Sequence, residues 1–146
     1  MTQRFMVLCG GVGGSRLAEG LAQHLPPEAL TIVVNIGDDF DHLGLRICPD
    51  IDTVLYMLAG CVSRERGWGR EDESWAAHQT LAALGGPDWF QLGDRDIGLH
   101  LARNALLSEG RGLAETVRRL ASALGVSHAP VPITEIQAPT IVRTVE

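Results

Sequence analysis

The sequence predicts an α/β fold, a Rossmann-like three-layer sandwich built on a mostly parallel β-sheet that is incomplete in this chain. Two apolar runs, residues 5–9 (FMVLC) and 30–34 (LTIVV), lack polar alternation, as strands covered on both faces do. A glycine-rich turn and a helical pattern separate the two runs, which predicts a β-α-β unit. These two strands are few for such a sheet, and this indicates that part of it is missing.

The first helix is predicted from Ser15 onward. Leu17, Leu21 and Leu25 recur at helical spacing after the glycine-rich turn, so they are expected to share one face. Pro26 and the proline that follows it cannot continue a helix, and they are expected to end it. The second strand begins shortly afterwards.

An acidic segment, residues 38–50, follows the second strand and is predicted to be an irregular loop. Asp52 or Thr53 is the expected N-cap of a helix that continues to Leu58, because both side chains accept hydrogen bonds from free backbone N–H groups. Residues 61–72 (CVSRERGWGRED) are predicted to form a polar loop.

Helical spacing returns over residues 73–84 and stops at a Gly-Gly-Pro sequence. Residues 89–92 (WFQL) are predicted to form a short strand. Two further helices are expected, over residues 97–107 and 113–124. The last segment, residues 127–146, contains three prolines and has no clear periodicity.

The composition excludes several classes of protein. The 146 residues are 45% hydrophobic, which suits one globular domain, and no apolar run approaches the ~20 residues of a membrane span or suggests a signal peptide. All twelve basic residues are arginine, so a Walker-type phosphate loop, which needs lysine, is excluded. The net charge of −6 argues against nucleic acid as a partner. Three cysteines without metal-ligand spacing favour a reducing cytoplasm.

The sequence GGVGGS at residues 10–15 joins the first strand to the first helix and is the first candidate site. Glycines allow an anion to approach the backbone, and the helix N-terminus offers free N–H groups. The dinucleotide fingerprint fails, because Arg16 stands at its third glycine and Asn35 replaces the acidic residue that holds a ribose. A nucleotide or phosphate site is favoured, and a tight turn without a ligand is the alternative.

Five aspartates on two loops form the second candidate site: Asp38, Asp39, Asp41, Asp50 and Asp52. Mg²⁺ binds one or two carboxylates together with substrate phosphates, so aspartates beside an anion-binding loop predict a magnesium site. A solvated loop with helix-capping aspartates is the alternative, and Asp41 is the residue least expected to take part.

The sequence Gly93-Asp94-Arg95-Asp96 is a third candidate. Arg95 between two carboxylates predicts either an internal ion pair or a guanidinium offered to a phosphate. Gln91, just before this motif, carries an amide that can form hydrogen bonds with a heterocycle, although a single glutamine is a weak signal. The loop at 61–72, with three arginines around a tryptophan, is either a solvated surface or a cover for a ligand. The five histidines lack metal-ligand spacing and are expected to be structural or on the surface.

Four strings in this order resemble the 2-phospho-L-lactate transferase family, whose members act in the biosynthesis of the deazaflavin coenzyme F-420. They are GGVGGSRLAEGL, LTIVVNIGDDFDHLGLRICPDIDTVLY, GWGREDESW and WFQLGDRDIGLHL. The resemblance implies that residues 1–126 are the N-terminal part of the family's α/β domain. Family members are considerably longer, so residues 127–146 are expected to be a divergent or truncated tail.

The resemblance also implies the reaction. A Mg²⁺-dependent transfer moves a phosphoenolpyruvyl or 2-phospho-L-lactyl group from a GDP-linked donor to the ribityl hydroxyl of the deazaflavin precursor, and GMP leaves. The implied nucleotide-phosphate residues are Gly10, Gly11, Val12, Gly13, Gly14 and Asn35. The implied metal ligands are Asp38, Asp39 and Asp52, the catalytic residues Asp38, Asp52 and Arg95, and the deazaflavin contacts Asp52 and Gln91.

Two alternatives to a self-sufficient transferase remain open. One is a non-catalytic module that binds nucleotides or nucleotide-sugars, as in the related gluconeogenesis-factor proteins that share the glycine loop. The other is an inactive half that needs a partner, or a homodimer that covers an exposed sheet edge. A homodimer with small-molecule substrates, without nucleic-acid or membrane partners, is expected in the cytoplasm.

Overall fold

The computed structural model describes residues 3–144 of the chain, so the outermost ends of the predicted segments 1–126 and 127–146 lie outside the described residues. The strands are β1 (Phe5–Cys9), β2 (Leu30–Val34), β3 (Phe40–His42), β4 (Leu45–Ile47) and β5 (Val131–Pro132). The α-helices are α1 (Gly11–Ala22), α2 (Pro49–Leu58), α3 (Ala76–Ala83), α4 (Asp94–Ser108) and α5 (Leu113–Ala123), and a 3-10 helix covers Pro27–Ala29. None of the helices in this part of the chain is both long and apolar enough to cross a membrane.

The main sheet has three parallel strands in the order β1-β2-β5, which confirms the predicted α/β class and a sheet of few strands. The apolar runs form β1 and β2 as predicted, in a register that pairs Val7 with Ile32. Strand β5 lies in the tail, where no element was predicted, and pairs Val33 of β2 with Val131. Residues 131–132 of the tail therefore belong to the sheet.

Helices cover one face of this sheet in the described part of the chain. Val7, Ile32 and Val34 face a single core that is completed by residues of α1, α2, α4 and α5. On the other face, Met6 is 68% exposed and Leu8 is 69% exposed, although every residue of the two strands except Thr31 is apolar. The second apolar face that the sequence predicts is therefore present but uncovered by residues 3–144.

Helix α1 begins earlier than predicted, at Gly11 rather than Ser15, and ends at Ala22 rather than Leu25. The glycines predicted as a loop thus form its first turn, with Gly10 as an extended N-cap. Its buried face is also shifted, because Ala18 is fully buried while Leu17 is exposed. Gly14 lets this helix approach β1 closely, as the third glycine of a dinucleotide fingerprint does.

Replacing Gly14 by alanine is expected to lower the free energy of unfolding by about 1–3 kcal/mol. An added Cβ would lie 2.7 Å from Cβ of Cys9 and 3.1 Å from its Cα, so β1 would have to move. Gly20→Ala on the same helix is the control, because nothing lies within 4 Å of its added Cβ. Urea denaturation followed by circular dichroism measures both, and equal stabilities would contradict the close helix-strand contact.

The predicted irregular loop at 38–50 contains an antiparallel hairpin of β3 and β4. Leu43 and Gly44 form its turn, and both have positive φ, as a type I′ turn requires. The predicted caps of the next helix, Asp52 and Thr53, are also wrong. Helix α2 starts at Pro49, whose fixed φ and missing N–H suit a first helical position, so Asp52 lies inside the first turn.

The third and fourth helices differ from prediction mainly at their starts. Helix α3 is shorter than the predicted 73–84, and α4 begins at Asp94 rather than Ile97. The predicted strand at 89–92 is wrong, since these residues are irregular. Helix α5 agrees with the prediction. Because α4 starts early, the predicted loop Gly93–Asp96 is the N-cap and first turn of a helix.

Candidate functional site

The glycine-rich turn is held by a carboxylate from another element. The N–H of Gly11 donates to Oδ1 of Asp50 at 2.7 Å, and Nδ2 of Asn35 donates to Oδ2 of Asp50 at 2.9 Å. Asp50 thereby joins the start of α1, the end of β2 and the first turn of α2. The contact is tight, because a Cβ on Gly10 would lie 2.5 Å from Oδ2 of Asp50. Gly11 has φ +58°, a conformation that favours glycine.

The same turn keeps backbone donors for an external anion. The first N–H groups of a helix have no acceptor within it, and among the backbone N–H groups of this turn Asp50 accepts only that of Gly11. Gly13 is exposed and nothing lies within 4 Å of the position its Cβ would occupy. The N–H groups of Val12 and Gly13 are therefore available to a phosphate, at the positive end of the α1 dipole.

The predicted metal and catalytic aspartates have separate environments. Asp38 is exposed beyond the end of β2, and its side chain makes no hydrogen bond with residues 3–144. Asp39 is buried and accepts from Arg46 at 3.1 Å. Asp52 lies in the first turn of α2, where Arg103 donates to both of its oxygens. Of the three aspartates, Asp38 is thus the one whose side chain has no partner among residues 3–144.

Arg103 is a feature that the sequence analysis missed. Its side chain is fully buried, and besides Asp52 it donates to the carbonyl of Arg46 at 3.2 Å. Burial alone would lower the pKa of Arg103, but the Asp52 carboxylate raises it above its usual value. Burial also raises the pKa of Asp52, and the Arg103 guanidinium offsets part of that rise. One signal was available: Asp96, His100 and Arg103 recur at helical spacing and place three polar groups on one face of α4.

A cavity of about 280 Å³ adjoins this ion pair. Its walls are mainly apolar and aromatic, with a few polar side chains. The lining residues are Ile47, Pro49, Asp52, Thr53, Tyr56, Trp68, Gly69, Phe90, Gln91, Asp96 and His100. The structure therefore brings together Asp52 and Gln91, the two residues that the resemblance assigns to the deazaflavin. His100, expected to be structural or on the surface, also lines this cavity.

The loop at 61–72 lies between the cavity and the glycine turn. The side chains of Arg64 and Glu19 form an ion pair at 2.7 Å that fastens the loop to α1. Gly67 packs on Val12 so closely that an added Cβ would lie 2.9 Å from Cγ1 of that valine. The next residue, Trp68, lines the cavity and is stacked by Arg66 at 5.3 Å from the ring centroid. The loop thus borders both candidate binding regions.

The Gly93–Asp96 motif has a structural function in capping helices. Asp94 accepts from the N–H groups of Ala76 and Ala77 and so caps α3. In return, Glu73 accepts from the N–H groups of Arg95 and Asp96 and caps α4. The side chain of Arg95 is exposed and forms no ion pair with the described residues, so the predicted internal ion pair is absent from this part of the chain.

The acidic side chains fit a Mg²⁺ ion only in part. Oδ1 of Asp39 is buried without a hydrogen-bond partner within residues 3–144, and burial raises the pKa of Asp39 while the Arg46 guanidinium offsets part of the rise. No three His, Cys, Asp or Glu side chains in the described part of the chain are grouped to hold a metal. A site with one or two carboxylates, Asp38 and Asp39, completed by substrate phosphates is compatible with this arrangement.

Comparison with known proteins gives a consistent result. A family model described as 2-phospho-L-lactate transferase CofD matches residues 5–146. The phosphoenolpyruvate transferase of Streptomyces coelicolor is 41% identical over 138 residues, which are 94% of this chain and 43% of that protein. That of Nocardia farcinica is 44% identical over 138 residues, 94% of this chain and 42% of that protein. That of Mycobacterium marinum is 49% identical over 129 residues, 80% of this chain and 39% of that protein. The chain spans less than half the length of these curated relatives.

Proposed function

Because the chain belongs to the 2-phospho-L-lactate transferase family, we propose that it acts in the transfer of a phospho-three-carbon-acid group from a GDP-linked donor to the ribityl hydroxyl of a deazaflavin. The name of its relatives, phosphoenolpyruvate transferase, favours phosphoenolpyruvyl as the transferred group. One observation carries the proposal: Asp52 and Gln91 line one cavity with aromatic walls, which suits a flat heterocycle.

The glycine turn would bind the GDP diphosphate. The free N–H groups at Val12 and Gly13 face a position that an anion can reach, while Asp50 and Asn35 hold the turn in shape. Residues 61–72 contact this turn and also line the cavity, so nucleotide and deazaflavin would bind on the two sides of one loop. This arrangement supports a transfer between two bound substrates.

The reaction itself asks mainly for positioning and charge neutralisation. The acceptor hydroxyl oxygen forms a bond to the phosphorus that carries the three-carbon acid, the bond from that phosphorus to the bridging oxygen breaks, and GMP leaves with that oxygen. Bound Mg²⁺, held by Asp38 and Asp39, would neutralise charge on the diphosphate. The hydroxyl proton would pass to Asp38 or to water, since Arg103 occupies both oxygens of Asp52.

The uncovered sheet face supports a second form of the proposal, in which this chain binds both substrates but needs further polypeptide for turnover. Met6, Leu8 and Val131 are exposed apolar side chains on this sheet, and large exposed apolar surfaces are usually covered by a partner. Substrate binding and turnover are therefore measured separately.

A fluorescence titration of the deazaflavin precursor into the chain tests the proposal. Binding is expected to strengthen when GDP and Mg²⁺ are present, and turnover of the GDP-linked donor then separates the complete enzyme from the binding half. Tight binding of a UDP-sugar without affinity for the deazaflavin would instead support the nucleotide-sugar module.

Replacing Gly13 by valine is expected to weaken GDP binding by at least about tenfold, because the side chain would fill the space that a phosphate needs beside the exposed backbone N–H. Gly20→Val is the matched control, since Gly20 also lies on α1 with open space around it but away from the turn. Isothermal titration calorimetry gives both affinities. Equal affinities in the two variants would show that the diphosphate binds elsewhere.

A further inference from the structure

A second carboxylate lines the cavity, and the proposed reaction gives it no role. Asp96 lies in the first turn of α4, where the hydroxyl of Tyr56 donates to its Oδ1. Its Oδ2 accepts no hydrogen bond from residues 3–144, although the side chain is mostly buried. Asp52, on α2, accepts hydrogen bonds from Arg103 at both of its oxygens. Of the two carboxylates that line the cavity, Asp96 is therefore the one with an oxygen available to accept a hydrogen bond from a ligand.

His100 supplies a donor beside it. Nδ1 of His100 lies 3.0 Å from a guanidinium nitrogen of Arg103, and because arginine only donates, Nδ1 must accept and the ring proton must be on Nε2. Nε2 lies 3.5 Å from Oδ1 of Asp96 and has no hydrogen-bond partner among the described residues, although His100 is only 1% exposed. Such a buried N–H without an acceptor is costly unless a ligand completes it.

The surroundings keep Asp96 ionised. Burial by itself raises its pKa, but the pKa of Asp96 lies below the ordinary value of an aspartate, and the hydrogen bond from Tyr56 and the positive charge of Arg103 contribute to this lowering. The neighbouring cavity wall is apolar, with Ile47 and Phe90. An ionised oxygen in such a place requires a hydrogen-bond donor.

We propose that Asp96 and His100 bind a hydroxyl group of the acceptor's polyol chain. Oδ2 of Asp96 accepts the hydroxyl hydrogen, and Nε2–H of His100 donates to the hydroxyl oxygen. A hydroxyl is the group that donates and accepts at once, whereas a methylene group in its place leaves both protein groups unpaired. The inference rests on the proposed function, which assigns the cavity to the deazaflavin. It identifies the hydroxylated side chain of that molecule as the part that determines specificity.

Two ligands test it: the deazaflavin precursor, and an analogue in which the same ring carries an alkyl chain without hydroxyls. The chain is expected to bind the hydroxylated compound at least about tenfold more tightly. Asp96→Asn is expected to reduce this preference by about tenfold while leaving the affinity for the alkyl analogue unchanged. Asp88→Asn, which removes an exposed carboxylate, is the control and should keep the full preference.

Tyr56→Phe is the second variant, for use if Asp96→Asn does not fold as judged by circular dichroism. It keeps the charge of Asp96 but removes the hydroxyl that orients it, so the preference is again expected to fall. Equal binding of the two ligands by the unmodified chain overturns the hydroxyl site and leaves the proposed function standing. Binding of neither ligand, with GDP and Mg²⁺ present, overturns both. An equal loss of affinity for both ligands in Asp96→Asn means a structural role and also overturns the inference.

Discussion

The free energy of unfolding is expected to fall by about 3–5 kcal/mol when Arg103 is replaced by methionine. The substitution leaves the Asp52 carboxylate inside the protein without the two hydrogen bonds that now neutralise it, and an isolated buried charge is far costlier than a paired one. It also removes the donor to the Arg46 carbonyl, which holds the β3–β4 hairpin against α4. Urea denaturation followed by circular dichroism measures the change.

Two further variants show whether the unpaired charge is the cause. Arg118→Met removes an exposed arginine from the next helix and should change stability by no more than about 0.5 kcal/mol. Asp52→Leu combined with Arg103→Met removes both charges and should recover most of the loss. A single Arg103→Met variant as stable as Arg118→Met would contradict the buried ion pair.

Replacing Asp38 by asparagine is expected to remove the Mg²⁺-dependent part of GDP affinity, a loss of at least about 100-fold. Asp38 is exposed beside the carboxyl end of β2 and has no partner within residues 3–144, so its oxygens are available to a metal. Loss of a direct carboxylate ligand should cost more than the 10- to 100-fold that follows loss of an outer partner. Calorimetric titrations of GDP with and without Mg²⁺ measure the difference.

Asp41→Asn is the matched control for this experiment. Asp41 is also exposed and close in sequence, but it lies on β3 opposite Arg46. Its substitution removes the same charge and should leave the Mg²⁺ effect intact. If the two variants lose affinity equally, general electrostatic attraction explains the result, and Asp38 is not a metal ligand.

The sheet could be predicted where the sequence signal is local and long enough. β1, α1 and β2 follow from two apolar runs around a helical pattern. The hairpin of β3 and β4 was missed because each strand has three residues, and Leu43-Gly44 is not the Asn-Gly or Asp-Gly pair that usually marks such a turn. β5 has two residues and ends in Pro132, a residue that normally argues against a strand.

The candidate site depends more strongly on contacts between distant segments. The resemblance assigned Asp52 and Gln91 to the same ligand, and in the structure both residues line the same cavity. Spacing could not predict that Asp50 would reach Gly11, 39 residues away, or that Arg103 would reach Asp52, 51 residues away. Such pairings are properties of the folded chain, because no local periodicity encodes which helix ends meet.

The reciprocal caps formed by Glu73 and Asp94 couple the local unfolding of helix α3 to ligand binding in the cavity. Helix α3 has eight residues, none of them buried, so it is expected to be among the first parts to open by local unfolding. When it opens, Asp94 loses the N–H groups that it caps and Glu73 is released from the first turn of α4, where Asp96 lies. A ligand that fixes Asp96 is therefore expected to slow the opening of α3 as well, although no residue of α3 lines the cavity. Hydrogen exchange at the amides of α3 is thus expected to slow when the cavity is occupied.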